Sequence, residues 1–487
     1  MNSLDLRLDY VPTMALLLLL AGCSSSPSPR WIVGEGQEQR CQTLLTEMER
    51  RVDRAGVRDP FGHYLYRYPY LRSSRWLHHW GSEVISSEQG RTQWLQAMRV
   101  MADQARGIEL DNLPPELRFQ PAERQQLEDC VDSLALPALA TTQHQAAMLE
   151  QAAIDDSYSS LSRTLGLFAL TRQVVLHQIS IWQAEWGARF NDPSLLKGGS
   201  RVYPPASSTL PAVGGYQSAV QHLPGAPALT DQQWQDLVAR HAPVWQLFYH
   251  SGDDRLGRPY WQGGQVRVET SDPVSYVLPS LTRFEGENLL QLNYWIWLPA
   301  RTPVRVGDIY AGRLDGLIWR VTLNSDGKVL LYDSIHACGC YHLMFPVDPE
   351  LRQRPQDSQT EVPLILPFRA PERALGRPLL QLLPGSHYLM GVRLWSPSAG
   401  LGSPYRFDHY HRLRRLPSST GRRNLFSANG LVEGTERPER WLLWPMGVAS
   451  AGAMRSWGHH AISFANRRHF DDPTLLEALF TRKGAPE

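Results

Sequence analysis

Along residues Gln37 to about Phe190, apolar positions recur at three- and four-residue intervals, the spacing of helices with one buried stripe. Cys41 to Val57, Glu88 to Ala105, Pro121 to Leu136 and a long run from Ser157 to Trp186 all read this way. In the last run Leu161, Leu165, Leu167, Phe168, Val174, Val175, Ile179 and Trp182 mark the face expected to be buried. The pattern then breaks. Residues 197–230 carry Gly198, Gly199, Pro204, Pro205, Pro211, Gly214, Gly215, Pro224 and Pro227, a density of glycine and proline that predicts a linker or long loop. Thr230 with Gln233 three residues on has the form of a capping box and opens a short helix to about Ala242.

After Pro243 the period changes to strands: Val244 to Tyr249, Gln265 to Thr270, Val274 to Leu278, Leu289 to Leu298, Val362 to Phe368 and Tyr388 to Trp395. The clearest unit is a hairpin in which Leu317 to Leu323 and Lys328 to Ile335 flank the turn Asn324-Ser325-Asp326-Gly327. Helical patterns return near Val448 to Asn466 and Pro473 to Phe480. The expectation is an α+β protein with a helical domain at 36–196, a linker at 197–230, and a mainly antiparallel β-rich domain with C-terminal helices at 231–487.

The first 22 residues belong to neither domain. Val11 to Gly22 is an apolar stretch containing Leu16 to Leu20, the length of a secretory h-region and too short to span a bilayer. It ends in Leu20-Ala21-Gly22-Cys23, which resembles the lipobox of bacterial lipoproteins. That resemblance implies cleavage before Cys23, acylation of its thiol and amino group, and attachment to a membrane through the N-terminal lipid. Ser24 stands where retention in the inner membrane is associated with aspartate, so the implied address is the periplasmic face of the outer membrane. Residues 23–35, with Ser24-Ser25-Ser26-Pro27-Ser28-Pro29, read as a flexible tether.

Composition narrows the function classes. A chain of 487 residues with 42% hydrophobic and 20% charged positions is globular and exceeds one ordinary core. A formal net charge of +1 gives no global drive toward nucleic acid. Sixteen Trp and eighteen Tyr suit a packed β-surface or a groove for a partner, an envelope protein or a glycan. There is no Gly-x-Ser-x-Gly elbow, Walker loop, dinucleotide fingerprint, His-Glu-x-x-His or Cys-x-x-Cys-His, which removes the familiar esterase, nucleotide, zincin and c-haem readings. Beyond Cys23, four cysteines remain, and an even number in an oxidising compartment suggests pairing, with Cys41 and Cys130 placed to join two helices.

Chemistry concentrates after the hairpin, in His336-Ala337-Cys338-Gly339-Cys340-Tyr341-His342. Fully extended, the four ligand-type side chains would spread over roughly 20 Å, so one ion requires the chain to curl at Gly339. Such a shell of two thiolates and two imidazoles is one for zinc. The alternatives are a local Cys338–Cys340 disulfide, buried packing, and a thiol nucleophile with His336 or His342 as base oriented by Asp333. Half of the sixteen histidines lie from His336 onward, and His409, His411, His459, His460 and His469 are candidates to join the site from distant loops. Two functions follow: a binding or structural envelope lipoprotein whose Cys/His segment is mainly structural, or a periplasmic metal- or thiol-dependent hydrolase.

Overall fold

A computed structural model describes residues 36–135, 142–206, 220–368, 376–395, 402–419 and 421–483. The leader, Cys23 and the tether lie outside these, as do residues 207–219 of the expected linker. The architecture is α+β: helices come first, and then a β-rich region of mostly antiparallel sheets closes with short helices.

The helical half comprises α1 (Gln37–Ala55), α2 (Arg75–Val84), α3 (Glu88–Asn112), α4 (Pro121–Ala135), α5 (Thr142–Gln151), α6 (Ser160–Leu165) and α7 (Phe168–Arg189), with a two-residue hairpin, β1 (His63–Tyr64) and β2 (Arg72–Ser73), between α1 and α2. Ser74 and Ser87 cap α2 and α3 by accepting from Leu77 N and Gly90 N. Cys41 of α1 and Cys130 of α4 form a disulfide with an S–S distance of 2.10 Å and Cα atoms 5.1 Å apart. The single helix expected from Ser157 to Trp186 is two, because the chain turns at Gly166, where a side chain would strike Pro445, and Leu167 takes φ 50°. Its predicted buried face is also corrected: Leu161, Leu165, Leu167 and Val174 are exposed, while Trp182 points inward. Apolar residues surround α7, so periodicity alone could not choose its buried side.

The expected linker supplies a strand. β3 (Ser200–Tyr203) pairs antiparallel with β4 (Val244–Phe248) at the edge of a four-stranded sheet whose other strands are β14 (Arg377–Leu382) and β15 (Leu389–Trp395). Between β3 and β4, α8 (Asp231–His241) opens with the reciprocal Thr230–Gln233 capping box. A two-stranded ribbon follows, β5 (Arg258–Gln262) and β6 (Gln265–Glu269).

The main sheet has seven strands in the order β13-β11-β10-β9-β8-β7-β16. Its long central strands are β7 (Val274–Phe284), β8 (Glu287–Arg301), β9 (Gly312–Leu323) and β10 (Val329–His336), all antiparallel neighbours. β11 (Leu343–Pro346) continues the meander, and the edges β13 (Leu364–Ile365) and β16 (Arg406–His409) join in parallel. Both faces are covered: Tyr294 donates to Val238 O of α8 at 2.7 Å, while Trp295 on the opposite face packs on Tyr410 and His460. Three minor pieces, β12 (Leu351–Gln353), β17 (Leu416–Ser418) and β18 (Gly421–Arg423), precede α9 (Arg440–Leu443) and α10 (Leu475–Leu479), and β19 (Phe480–Arg482) pairs with β12. The helix expected over Val448 to Asn466 is a series of turns, broken by Gly447, Gly452 and Gly458 at positive φ.

One buried apolar cluster runs from Cys41 through the central strands to Phe480. The two halves are further locked by the fully buried Asp59–Arg414 pair and by Arg75 on Asp471 at 2.9 Å. Removing one partner of such a pair strands a buried charge, at a cost of about 3–5 kcal/mol.

A candidate dithiol site at the end of the hairpin

The hairpin strands end in a tight turn at the Cys-Gly-Cys sequence. His336 N donates to Cys340 O at 3.0 Å and Gly339 N donates to His336 O at 2.8 Å. Gly339 has φ 96°, and a Cβ there would lie 2.5 Å from Ala461 O, so the position is closed to any other residue without displacement. The turn is held from below as well. Ala337 N donates to Gly316 O at 2.9 Å, Arg455 N to Ala337 O at 2.9 Å, and Arg455 Nε to Cys338 O at 3.0 Å.

This curl is the one a single metal would need, but it sorts the four candidate ligands differently. Cys338 and Cys340 are free thiols, the first buried and the second partly exposed, close enough that each shifts the other's proton affinity. The local disulfide, one of the alternatives for them, is not formed. The two histidines face opposite sides of the sheet. His342 meets Asp333 through Nε2 at 3.0 Å, and Asp333 is also gripped by Arg320, whose Nε donates at 2.8 Å. His336 shares the other face with Ser334, because side chains alternate along β10. Among the described residues, no three His, Cys, Asp or Glu side chains converge as a metal shell does. Two adjacent thiols with divided imidazoles do not fit the four-ligand zinc shell.

The distant histidines are likewise dispersed. Only His460 reaches the turn, with Nε2 3.2 Å from Ala337 O. His459 bonds Pro60 O, His411 lies by Arg414, His469 accepts from Ser157 N, and His409 closes β16 beside β7.

What gathers at the turn is a set of charges that the sequence reading did not anticipate. Asp315 of β9 is fully buried and meets His387 Nδ1 at 2.8 Å, Arg437 Nη2 at 3.2 Å and His336 Nδ1 at 3.6 Å. His387 Nε2 in turn meets Asp254 at 3.1 Å. Burial alone would raise the Asp315 pKa, but Arg437, followed by His336 and His387, holds it well below the carboxylate range. His387 shows the complementary balance, since burial pulls it down but two carboxylates raise it, favouring the imidazolium. His336 has no such clamp: burial outweighs Asp315 and keeps it neutral, and neither ring nitrogen makes a hydrogen bond.

These charges bear on the thiols. The hydrogen bond from Cys340 lowers the Cys338 pKa against burial, with help from Arg437, and the same bond plus burial raises that of Cys340. The pair therefore gives up its first proton readily and shares the second. Three non-glycine residues at positive φ surround this cluster: Leu314 at 54°, Tyr341 at 60° and His387 at 54°. Each adjoins a member of it, and such backbone costs of order 1–3 kcal/mol concentrate at functional sites.

Behind His336 lies a cavity of about 10 Å³, the room of one water. Trp182 and Trp186 of α7 roof it, and Tyr341 and Tyr388, whose hydroxyls are hydrogen-bonded, form its wall. Arg301 donates to Tyr388 Oη at 3.0 Å. Sequence reasoning missed Asp254, Asp315, His387 and Arg437 because they are isolated charges on four separate segments; Asp315, set between Leu314 and the apolar run Leu317–Trp319, was the one signal available. Comparison of the chain with protein-family models, with curated proteins and with solved structures finds no match to any of them.

Proposed function

We propose that the chain is a lipoprotein of the cell envelope, acylated at Cys23 and facing the periplasm, whose β-rich region performs thiol–disulfide exchange with an envelope partner through Cys338 and Cys340. The observation that carries this reading is the meeting of two free thiols in a tight turn that only glycine can close. A hydrolytic thiol needs a base on its sulfur. The histidines of this segment bond elsewhere or face the aromatic cavity. A cavity of one water also leaves no room for a glycan beneath the tryptophans.

The exchange is balanced with a partner disulfide as oxidant. With Cys338 ionised, Cys340, the less buried sulfur, passes its proton to the Cys338 thiolate and attacks the partner disulfide, expelling one partner thiolate. Cys338 then loses its proton to that thiolate and attacks Cys340, forming the Cys338–Cys340 disulfide and releasing the second partner sulfur. Two thiols are oxidised and one disulfide is reduced; the reverse direction oxidises a partner dithiol. Replacing Cys338→Ser should leave a mixed disulfide on Cys340, seen as a reductant-sensitive adduct on gels of envelope fractions. Replacing Cys340→Ser should trap none. Absence of adducts in both variants would return the pair to a structural role.

A further inference from the structure

Two segments distant in sequence form one exposed apolar surface outside the dithiol site. α6 and the start of α7 pack on residues 444–446: Arg163 Nε donates to Met446 O at 2.8 Å, and Ser159 N donates to Gly447 O at 2.8 Å. On the outward side stand Leu161, Leu165, Leu167, Leu170 and Val174, each more than 60% exposed, joined by Trp441 at 69%, Leu442 at 55% and Trp444 at 42%. Eight of the twelve large exposed hydrophobic side chains among the described residues lie here. The inner face of α7 is already used by Trp182 and Trp186 over the cavity, so this helix is apolar toward both the protein and the outside. A contiguous patch of that kind marks a contact surface.

We infer that this surface lies on the anionic leaflet of the membrane that holds Cys23, with Trp441 and Trp444 at headgroup level. Three observations favour lipid over a second copy or a protein partner. Trp and Leu beside arginines are the composition of interfacial segments. The patch itself carries no Asp or Glu from residue 157 to 184 or from 440 to 454, and the Arg440 guanidinium lies over the Trp441 ring, 4.6 Å from its centroid. The thirteen residues 24–36 between the acylated cysteine and α1 reach at most about 45 Å, which keeps the body near the bilayer. No helix of the described residues is long and apolar enough to cross a membrane. The inference relies on the anchor proposed above.

The test uses the full acylated protein in vesicles of phosphatidylethanolamine and phosphatidylglycerol with brominated acyl chains, reading quenching of tryptophan emission. Replacing the exposed pair, W441F/W444F, should remove about half or more of the quenching, and L170E/V174E should remove a similar share with unchanged circular dichroism. Equal quenching in all three proteins would overturn the assignment. So would a cross-linked dimer that W441F/W444F abolishes, which would make a second copy the occupant. Intact mass of the N-terminal peptide is read in parallel. A missing acyl group with the quenching difference retained would defeat the anchor and leave the lipid surface standing.

Discussion

Two cysteine pairs in this protein are placed in opposite ways. Cys41 and Cys130 sit on facing helices, 89 residues apart in sequence, and they are joined. Cys338 and Cys340 are two residues apart, held together by a turn with Arg437 and Glu439 acting on them, and they are free. The first pair closes a long loop and constrains the unfolded chain. The second closes almost no loop, so the chain-entropy gain of a disulfide there is small, and the proposed exchange rests on its reactivity.

Acid should break the comparison most. Burial holds His222 and His460 down to about 3 and His241 to about 4, against an ordinary 6.5. In that window the unfolded state binds protons that the folded state refuses. Stability therefore falls as pH drops from 6.5 toward 4, by up to about 1.4 kcal/mol per pH unit for each such histidine. Thiol labelling with mass spectrometry across this range should find Cys338 and Cys340 becoming accessible while Cys41–Cys130 stays oxidised. Flat stability from pH 7 to 4 would mean these histidines are charged in the fold.

Removing the helical staple is the next largest effect. C41A/C130A should lower the unfolding free energy by about 4–5 kcal/mol, given the loop it closes. The same change at C338A/C340A should cost less than about half of that, as two small buried side chains are trimmed. Denaturant titration of both variants checks the contrast, and equal losses would show that the second pair is also a structural element. G339A is comparable, about 1–3 kcal/mol from the positive φ and the approach to Ala461 O. Its sharper consequence is chemical: the thiols should separate and their mutual oxidation should slow at least tenfold, read by timed alkylation.

Much of the fold was legible because it rests on local signals. Period-two runs and the Asn324–Gly327 turn place β9 and β10, and Thr230 with Gln233 marks the start of α8. The failures have equally local causes. α7 mixes apolar and polar residues around its whole circumference, so its inner face is set by tertiary contacts of Trp182 and Trp186. Tyr203 in β3 follows a glycine pair and precedes two prolines, yet it is buried because β4 offers an open edge. At the site, the Cys/His segment stood out by density, and its required curl at Gly339 is there. Its partners did not stand out, since Asp254, Asp315, His387 and Arg437 are single residues brought together only by sheet pairing and loop return. The alternation of β10 also splits His336 from His342, a consequence of strand geometry that spacing alone did not reveal.

The most direct test is a redox titration of the intact protein at neutral pH. The protein is equilibrated in glutathione buffers of graded potential, quenched in acid, alkylated, and the Cys338–Cys340 peptide read by mass. The account predicts a reversible, two-electron transition to a Cys338–Cys340 disulfide with a midpoint between about −300 and −120 mV, the span of exchange-active dithiols. Thiols that stay reduced and unreactive in excess oxidised glutathione until the protein is unfolded would contradict it.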